Sequence, residues 1–202
     1  MATELGLRQR KKQQTRQVIY EAARRLFAER GFDRVAVAEV AREANVSEVT
    51  VFNYFPTKED LFYAGMQFFE EELLEAVRRR KPGESALRAF RRKLLDSTEG
   101  LRSKERFVAI KKATETFAAS PSLAARERQI VDRYTRELAE LLGGPEPDVE
   151  AVAVATALMG AHRAVVDHVR RRVQAGARGD ALADDARTQI RRAFGRLERG
   201  LD

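Results

Sequence analysis

Residues 37–58 read VAEVAREANVSEVTVFNYFPTK, and the spacing of the apolar side chains leaves this stretch one local solution. Val37, Val40, Ala41 and Ala44 recur at intervals of three and four, the period of a helix with one buried stripe, until Asn45 interrupts it. Asn tolerates the left-handed backbone of a sharp turn, and Val46 then returns to the core. Ser47 is placed to cap a following helix by accepting a hydrogen bond from an amide two or three residues on. In that helix Val51 and Phe55 share a face at i, i+4, leaving Glu48, Val49, Thr50, Asn53 and Tyr54 largely outward. The pattern predicts two short helices joined by a tight turn, the second of which presents most of its residues to a partner.

The flanking sequence carries the same punctuation. Across 13–29 the positions Ile19, Ala22, Ala23, Leu26 and Phe27 form one stripe, Gly31 is suited to a left-handed C-cap, and Phe32 turns back to the core. Residues 1 to about 10 read as a loose arm, and Arg8, Arg10, Lys11, Lys12 and Arg16 concentrate positive charge just before and inside the first helix. Pro56 closes the second short helix, and Thr57 with Asp60 opens a long one over 58–80 through Leu61, Phe62, Met66, Phe69, Leu73 and Val77. Along it Glu70, Glu71, Glu72 and Glu75 beside Arg78, Arg79, Arg80 and Lys81 read as a solvated face. Beyond Pro82-Gly83, helical spacing recurs over 84–97, 103–119, 121–142, 148–174 and 180–201, each stretch bounded by Pro or Gly. No two-residue alternation argues for sheet. The prediction is an all-α protein with four helices before Pro82 and five after it.

Composition narrows the functional classes. A 34% charged and 44% apolar chain of 202 residues is globular in kind, and the net charge of +7 favours an anionic partner. Arg outnumbers Lys 30 to 8, a bias that suits phosphate forks and equally a GC-rich coding sequence. The absence of Cys fits a reducing cytoplasm. The longest apolar run, 151–161 apart from Thr156, is too short to cross a bilayer, and the polar start does not read as a secretion signal. Catalysis finds no support: His162 and His168 lie six apart, about 120° from each other around a helix. No nucleophilic Cys, phosphate-cradling glycine loop or nucleotide fingerprint is present, so neither a metal nor a cofactor is expected.

GFDRVAVAEVAREANVSEVTVFNYFPTKEDLF, residues 31–62, resembles the N-terminal DNA-binding domain of the TetR family of bacterial transcriptional regulators. The family's turn and second helix run roughly G-V-S-x-x-T-[LVI]-[YF]-x-[YH]-F-x-x-K, and Val46, Ser47, Thr50, Val51, Phe52, Tyr54, Phe55 and Lys58 stand in that register. The match extends upstream to Thr15, which with Lys12 joins the expected DNA contacts. By family position Thr50, Tyr54 and Lys58 touch phosphates, Ser47 caps the reading helix, and Glu48, Val49 and Asn53 face bases. Two readings stand for Glu48, a base contact or a first-turn carboxylate serving the helix dipole. Phe52 occupies a position where relatives often carry Tyr, so ring packing replaces any hydroxyl contact; Ala36 stands where a Thr often caps the motif's first helix.

The resemblance also implies a layout: a helix-turn-helix domain with its basic arm over 1–57, a connecting helix over 58–81 that transmits movement, and an effector-binding and dimerisation domain over 82–202. A small, hydrophobic effector is expected among Phe68, Phe90, Leu94, Phe107, Ile110, Phe117 and Met159. The last two helices, through Val152, Ala155, Met159, Gly160, His162, Val166, Ile190, Phe194 and Leu197, are expected to pair with a twin subunit. The implied activity is repression from a near-palindromic operator on double-stranded DNA, relieved by the effector. A helical interaction or scaffold protein that binds acidic surfaces by charge alone is the rival reading.

Overall fold

The computed structural model describes residues 2–200, with side chains from residue 10 onward except that of Phe68. Nine α-helices and one 3-10 turn, with no strand among the described residues, account for the fold. They are α1 (Ala2–Arg30), α2 (Val37–Glu43), α3 (Glu48–Tyr54), α4 (Lys58–Arg78), α5 (Ala86–Ser97), the 3-10 turn Thr98–Arg102, α6 (Lys104–Ala119), α7 (Pro121–Gly143), α8 (Val149–Gln174) and α9 (Gly179–Arg199). The count of four helices before Pro82 and five after it agrees with the spacing argument. The N-terminal arm does not: α1 begins at Ala2. Its first residues are mostly Ala, Glu, Leu, Arg and Gln, strong helix formers interrupted by Thr3 and Gly6, so the helix continues through them.

The chain divides into two compact units. The first comprises the chain up to Phe68 together with Ala119–Ala124, and the second comprises Phe69–Ala118 and the chain from Ala125 onward. The division falls inside α4, not at either end of a separate connecting segment, and the α6 to α7 turn belongs with the first unit.

In the first unit the α1 stripe of Ile19, Ala22, Ala23, Leu26 and Phe27 packs with Phe32, Val35, Val40, Ala41, Val51, Phe55, Leu61, Tyr63 and Ala64 in a closed core. Edge-on aromatic contacts bind it, Phe27 to Phe32 at 5.1 Å and Phe32 to Phe62 at 5.8 Å between ring centres. The Tyr63 hydroxyl donates to the Leu123 carbonyl at 2.9 Å, which ties the α6 to α7 turn into this unit.

In the second unit Phe90 of α5 stacks on Phe194 of α9 at 5.9 Å, with Leu94, Ala155, Leu158, Met159, Ile190 and Ala186 buried around them. Arg187 of α9 donates to Thr98 Oγ1 at 3.1 Å and to Glu99 at 2.9 Å, anchoring the 3-10 turn. Five residues expected at a subunit interface, Ala155, Met159, His162, Ile190 and Phe194, are instead buried within this unit. The stripes of α8 and α9 cover each other and α5 first, which leaves those side chains no surface for a second chain. Val152 and Gly160 remain exposed, while Val166 and Leu197 are half-buried. On α8, Val152 and Gly160 join Val149, Ala153, Thr156, Ala157 and Ala164 in an outward row of small and apolar residues. By length and composition α8 passes as a membrane span, a property that core helices of other proteins share.

The expected pocket residues separate. Phe90, Leu94 and Met159 are closed core, whereas Phe107, Ile110 and Phe117 of α6 are half-buried and Thr114 is the buried residue of that helix. Phe117 lies beneath the Arg170 guanidinium at 4.2 Å. The side chain of Phe68 lies outside the described residues.

Candidate nucleic-acid interface

The turn between α2 and α3 is built as the sequence requires. Asn45 takes a φ of +52°, its N–H donates to the Arg42 carbonyl at 3.1 Å, and the Val46 N–H reaches back to the Ala41 carbonyl at 2.9 Å. This pair of bonds satisfies the last carbonyls of α2 and turns the chain sharply. Ser47 then caps α3, its hydroxyl oxygen accepting from the Thr50 N–H at 3.1 Å and lying 2.8 Å from the Thr50 hydroxyl.

At the start of α2, Ala36 provides no side-chain cap. The Glu39 carboxylate accepts from the Ala36 N–H at 2.8 Å, so half of a capping box survives. That backbone bond, with Arg30 and Arg42 nearby, holds the Glu39 carboxyl below the usual carboxylate range. Glu39 also pairs with Arg30, as Glu43 does with Arg25, linking α1 to α2.

With Val51 and Phe55 sealed inward, α3 turns a continuous face outward. Glu48, Val49, Phe52 and Asn53 are exposed, Val49 by 69% and Phe52 by 45%. Phe52, expected among the DNA contacts through its ring alone, shares the outer face with Val49. Thr50 and Tyr54 are half-buried at its margins, and Ser47 is exposed at its start. A seven-residue helix that leaves a Val and a Phe in water, next to an amide and a carboxylate, offers apolar and hydrogen-bonding contacts side by side.

The basic groups around this face are partly engaged. The Lys58 ammonium sits 4.4 Å from the Phe32 ring centre and 3.5 Å from the Asp33 carbonyl, and the Arg16 guanidinium lies over Phe55 at 5.5 Å. The Arg16 contact brings α1 beside the end of α3, a placement that sequence spacing does not signal. Lys12 is exposed, and Thr15 is half-buried with its hydroxyl donating to the Lys11 carbonyl at 2.9 Å.

One charged group departs from the spacing argument: Glu70, read as part of a solvated face, is 5% exposed. The signal was present: Glu70 falls four after Met66, three before Leu73 and seven before Val77, on the buried stripe of α4. Glu71 and Glu72 are exposed as expected. Among the described residues, no group of His, Asp and Glu could hold a metal ion.

Residues 19–64 match the family of bacterial regulatory proteins, tetR family. The HTH-type transcriptional regulator TcmR of Streptomyces glaucescens is 33% identical over 85 residues, which is 42% of this chain and 38% of TcmR's own length. A TetR transcriptional regulator from Rhodococcus sp. RHA1 superposes with a TM-score of 0.56 at 24% identity, covering 93% of this chain and 98% of that one. The SmeT–triclosan complex gives 0.57 at 17% identity, covering 90% of each chain. The two structures share the fold, and the matched segment takes in the turn, the capped reading helix and the first turns of α4. Over residues 19–64 the chain carries the domain of the tetR family of bacterial regulatory proteins.

Proposed function

We propose that the protein is a cytoplasmic homodimeric repressor that reads a near-palindromic operator through α3 and leaves it when a small effector enters the second unit. The observation that carries this reading is the outward face of α3, with Glu48, Val49, Phe52 and Asn53 exposed on a helix fixed by the Ser47 cap and by buried Val51 and Phe55. Asn53 is suited to a bidentate pair with adenine, Val49 to a thymine methyl and Glu48 to cytosine N4, with about 1–3 kcal/mol of discrimination for a good bidentate pair. Thr50, Tyr54, Lys58, Lys12 and Thr15 serve phosphates, with Lys58 leaving the Phe32 ring to do so. A family dimer sets two such helices about 34–36 Å apart, one turn of duplex, which requires a two-fold site. The outward row on α8 supplies the surface for that pairing, and α4, which runs through both units, is the route from effector to reading head.

Selection of bound fragments from random DNA tests the reading directly. Recovery of an inverted repeat, retained against excess bulk DNA in moderate salt, is the expected result. A protein that loses all preference under those conditions binds by charge alone, and the regulatory reading fails. Asn53→Ala is expected to relax base preference at one operator position while Lys58→Ala weakens all sequences alike; equal, sequence-blind losses from both contradict this division of labour.

A further inference from the structure

Glu48, Val49 and Phe52 form one contiguous patch on the outer side of α3. Positions 48 and 52 are i, i+4 neighbours, positions 49 and 52 are i, i+3 neighbours, and all three side chains are exposed. A valine and a phenyl ring left side by side in water gain free energy only when a partner covers them.

Glu48 sets a condition on that partner. Glu39 and Glu43 of α2 pair with Arg30 and Arg25, whereas among the described residues the Glu48 carboxylate has no ion-pair or hydrogen-bond partner. Brought against the polyanionic duplex, an unpaired carboxylate is repelled unless a base donor meets it. The major groove offers two such donors, adenine N6 and cytosine N4. On adenine the donor sits beside the N7 acceptor, a pair that suits the amide of Asn53 and opposes a carboxylate. Cytosine presents N4 with no acceptor of its own beside it, and the adjoining ring atom, C5, faces the same groove. There an apolar neighbour of Glu48 finds a bare C–H on cytosine and a methyl group on 5-methylcytosine. Thymine carries the same methyl but an O4 acceptor in place of the donor, which a carboxylate opposes.

We infer that α3 reads 5-methylcytosine, with Glu48 accepting from N4 while Val49 and Phe52 enclose the C5-methyl group of the same base. The inference rests on the reading of α3 as the operator-reading helix and brings the Glu48 and Val49 contacts onto one modified base. The regulator then responds to the methylation state of its own site. With one such base in each half of a two-fold site, a dimer covers two methyl groups, each worth about fourfold in affinity.

The test uses the full-length protein and two random duplex pools, one containing cytosine and one with 5-methylcytosine at every cytosine position. The methylated pool is expected to yield an inverted repeat with a cytosine at a fixed place in each half. Fluorescence anisotropy on that repeat, with this base alone varied, should show 5-methylcytosine bound at least tenfold more tightly than cytosine, and more tightly than thymine. Val49→Ala and Phe52→Ala, both at exposed positions, should pull the ratio of methylated to unmethylated affinity toward one. Glu48→Ala should erase the preference for 5-methylcytosine over thymine. Equal affinity for the methylated and unmethylated repeat, thymine bound as tightly as 5-methylcytosine, a methyl advantage that survives both alanine variants, or a repeat without a fixed cytosine each overturns the inference and leaves α3 a reader of unmodified bases. Absence of any repeat from either pool is a different failure: it removes the operator reading, and this inference with it.

Discussion

Asn45 holds φ at +52°, the one positive value among the described non-glycine residues, and it sits two residues before the Ser47 cap of α3. An Asn accepts this conformation cheaply, whereas a β-branched residue pays about 1–2 kcal/mol in steric strain. Asn45→Val is expected to lower stability by that amount, visible as a reduced midpoint in urea, while Asn45→Gly stays within a few tenths. A fully tolerated valine contradicts the left-handed assignment. Ala36 invites the opposite change. Its backbone already lies in the extended region of an N-cap, at φ −84° and ψ 152°, and Glu39 already supplies the returning half of the box. Ala36→Thr is expected to gain about 1 kcal/mol, and a thermal midpoint that does not rise rules out a usable cap position. Both residues were legible before any coordinates, because turn and cap chemistry are local and depend on one or two neighbours. Arg16 over Phe55 was not legible: a contact across 39 positions leaves no periodic trace.

At the scale of helices, Glu70 of α4 and His162 of α8 both turn inward, and the two respond to acid in opposite senses. Burial pushes the Glu70 carboxyl up to about 7, with Arg133 opposing and Glu127, Glu137 and Glu71 reinforcing the rise. Burial drives the His162 imidazole down to about 4, with Glu127 opposing and Arg170 reinforcing. The folded state therefore holds a proton on Glu70 that the unfolded chain has released between about pH 4.5 and 7, so this group destabilises as pH rises through 7. For His162 the unfolded chain binds the extra proton, so stability falls as pH drops from about 6.5 toward 4. Each shift corresponds to about 3 kcal/mol at its extreme, so the two slopes largely offset one another across the acid range. Glu70→Gln is expected to stabilise the protein at pH 8 by up to about 3 kcal/mol, with the gain shrinking below pH 7 and the acid slope of His162 exposed. Chemical unfolding at several pH values measures this; a gain that does not change with pH contradicts an ionised, buried Glu70. Spacing alone located the α4 stripe but assigned Glu70 by its charge, and the stripe proved the better guide.

For the whole molecule, the number and order of helices followed from Pro and Gly breaks, while the assignment of faces on α8 and α9 did not. A broad apolar stripe states that a helix is covered, not by what, and here α5, α8 and α9 cover one another through Phe90, Met159, Ile190 and Phe194. What remains outward on α8 is narrower and made of small residues, Val149, Val152, Ala153, Thr156, Ala157, Gly160 and Ala164, a row on which two helices can approach closely. Gly160 isolates the question of pairing from that of folding. A Cβ there would meet no atom within 4 Å beyond its own stretch of helix, and replacing Gly in a helix interior raises helix propensity. Gly160→Arg is therefore expected to leave helicity and the fold intact while placing a long cation in the middle of the proposed subunit contact. Sedimentation should show dimer association weakened at least tenfold, and binding to a full two-fold operator should fall toward that of a half-site. An arginine variant that pairs as tightly as the parent places the subunit contact elsewhere, and a parent that sediments as a monomer at every concentration removes the two-fold geometry on which the operator reading stands.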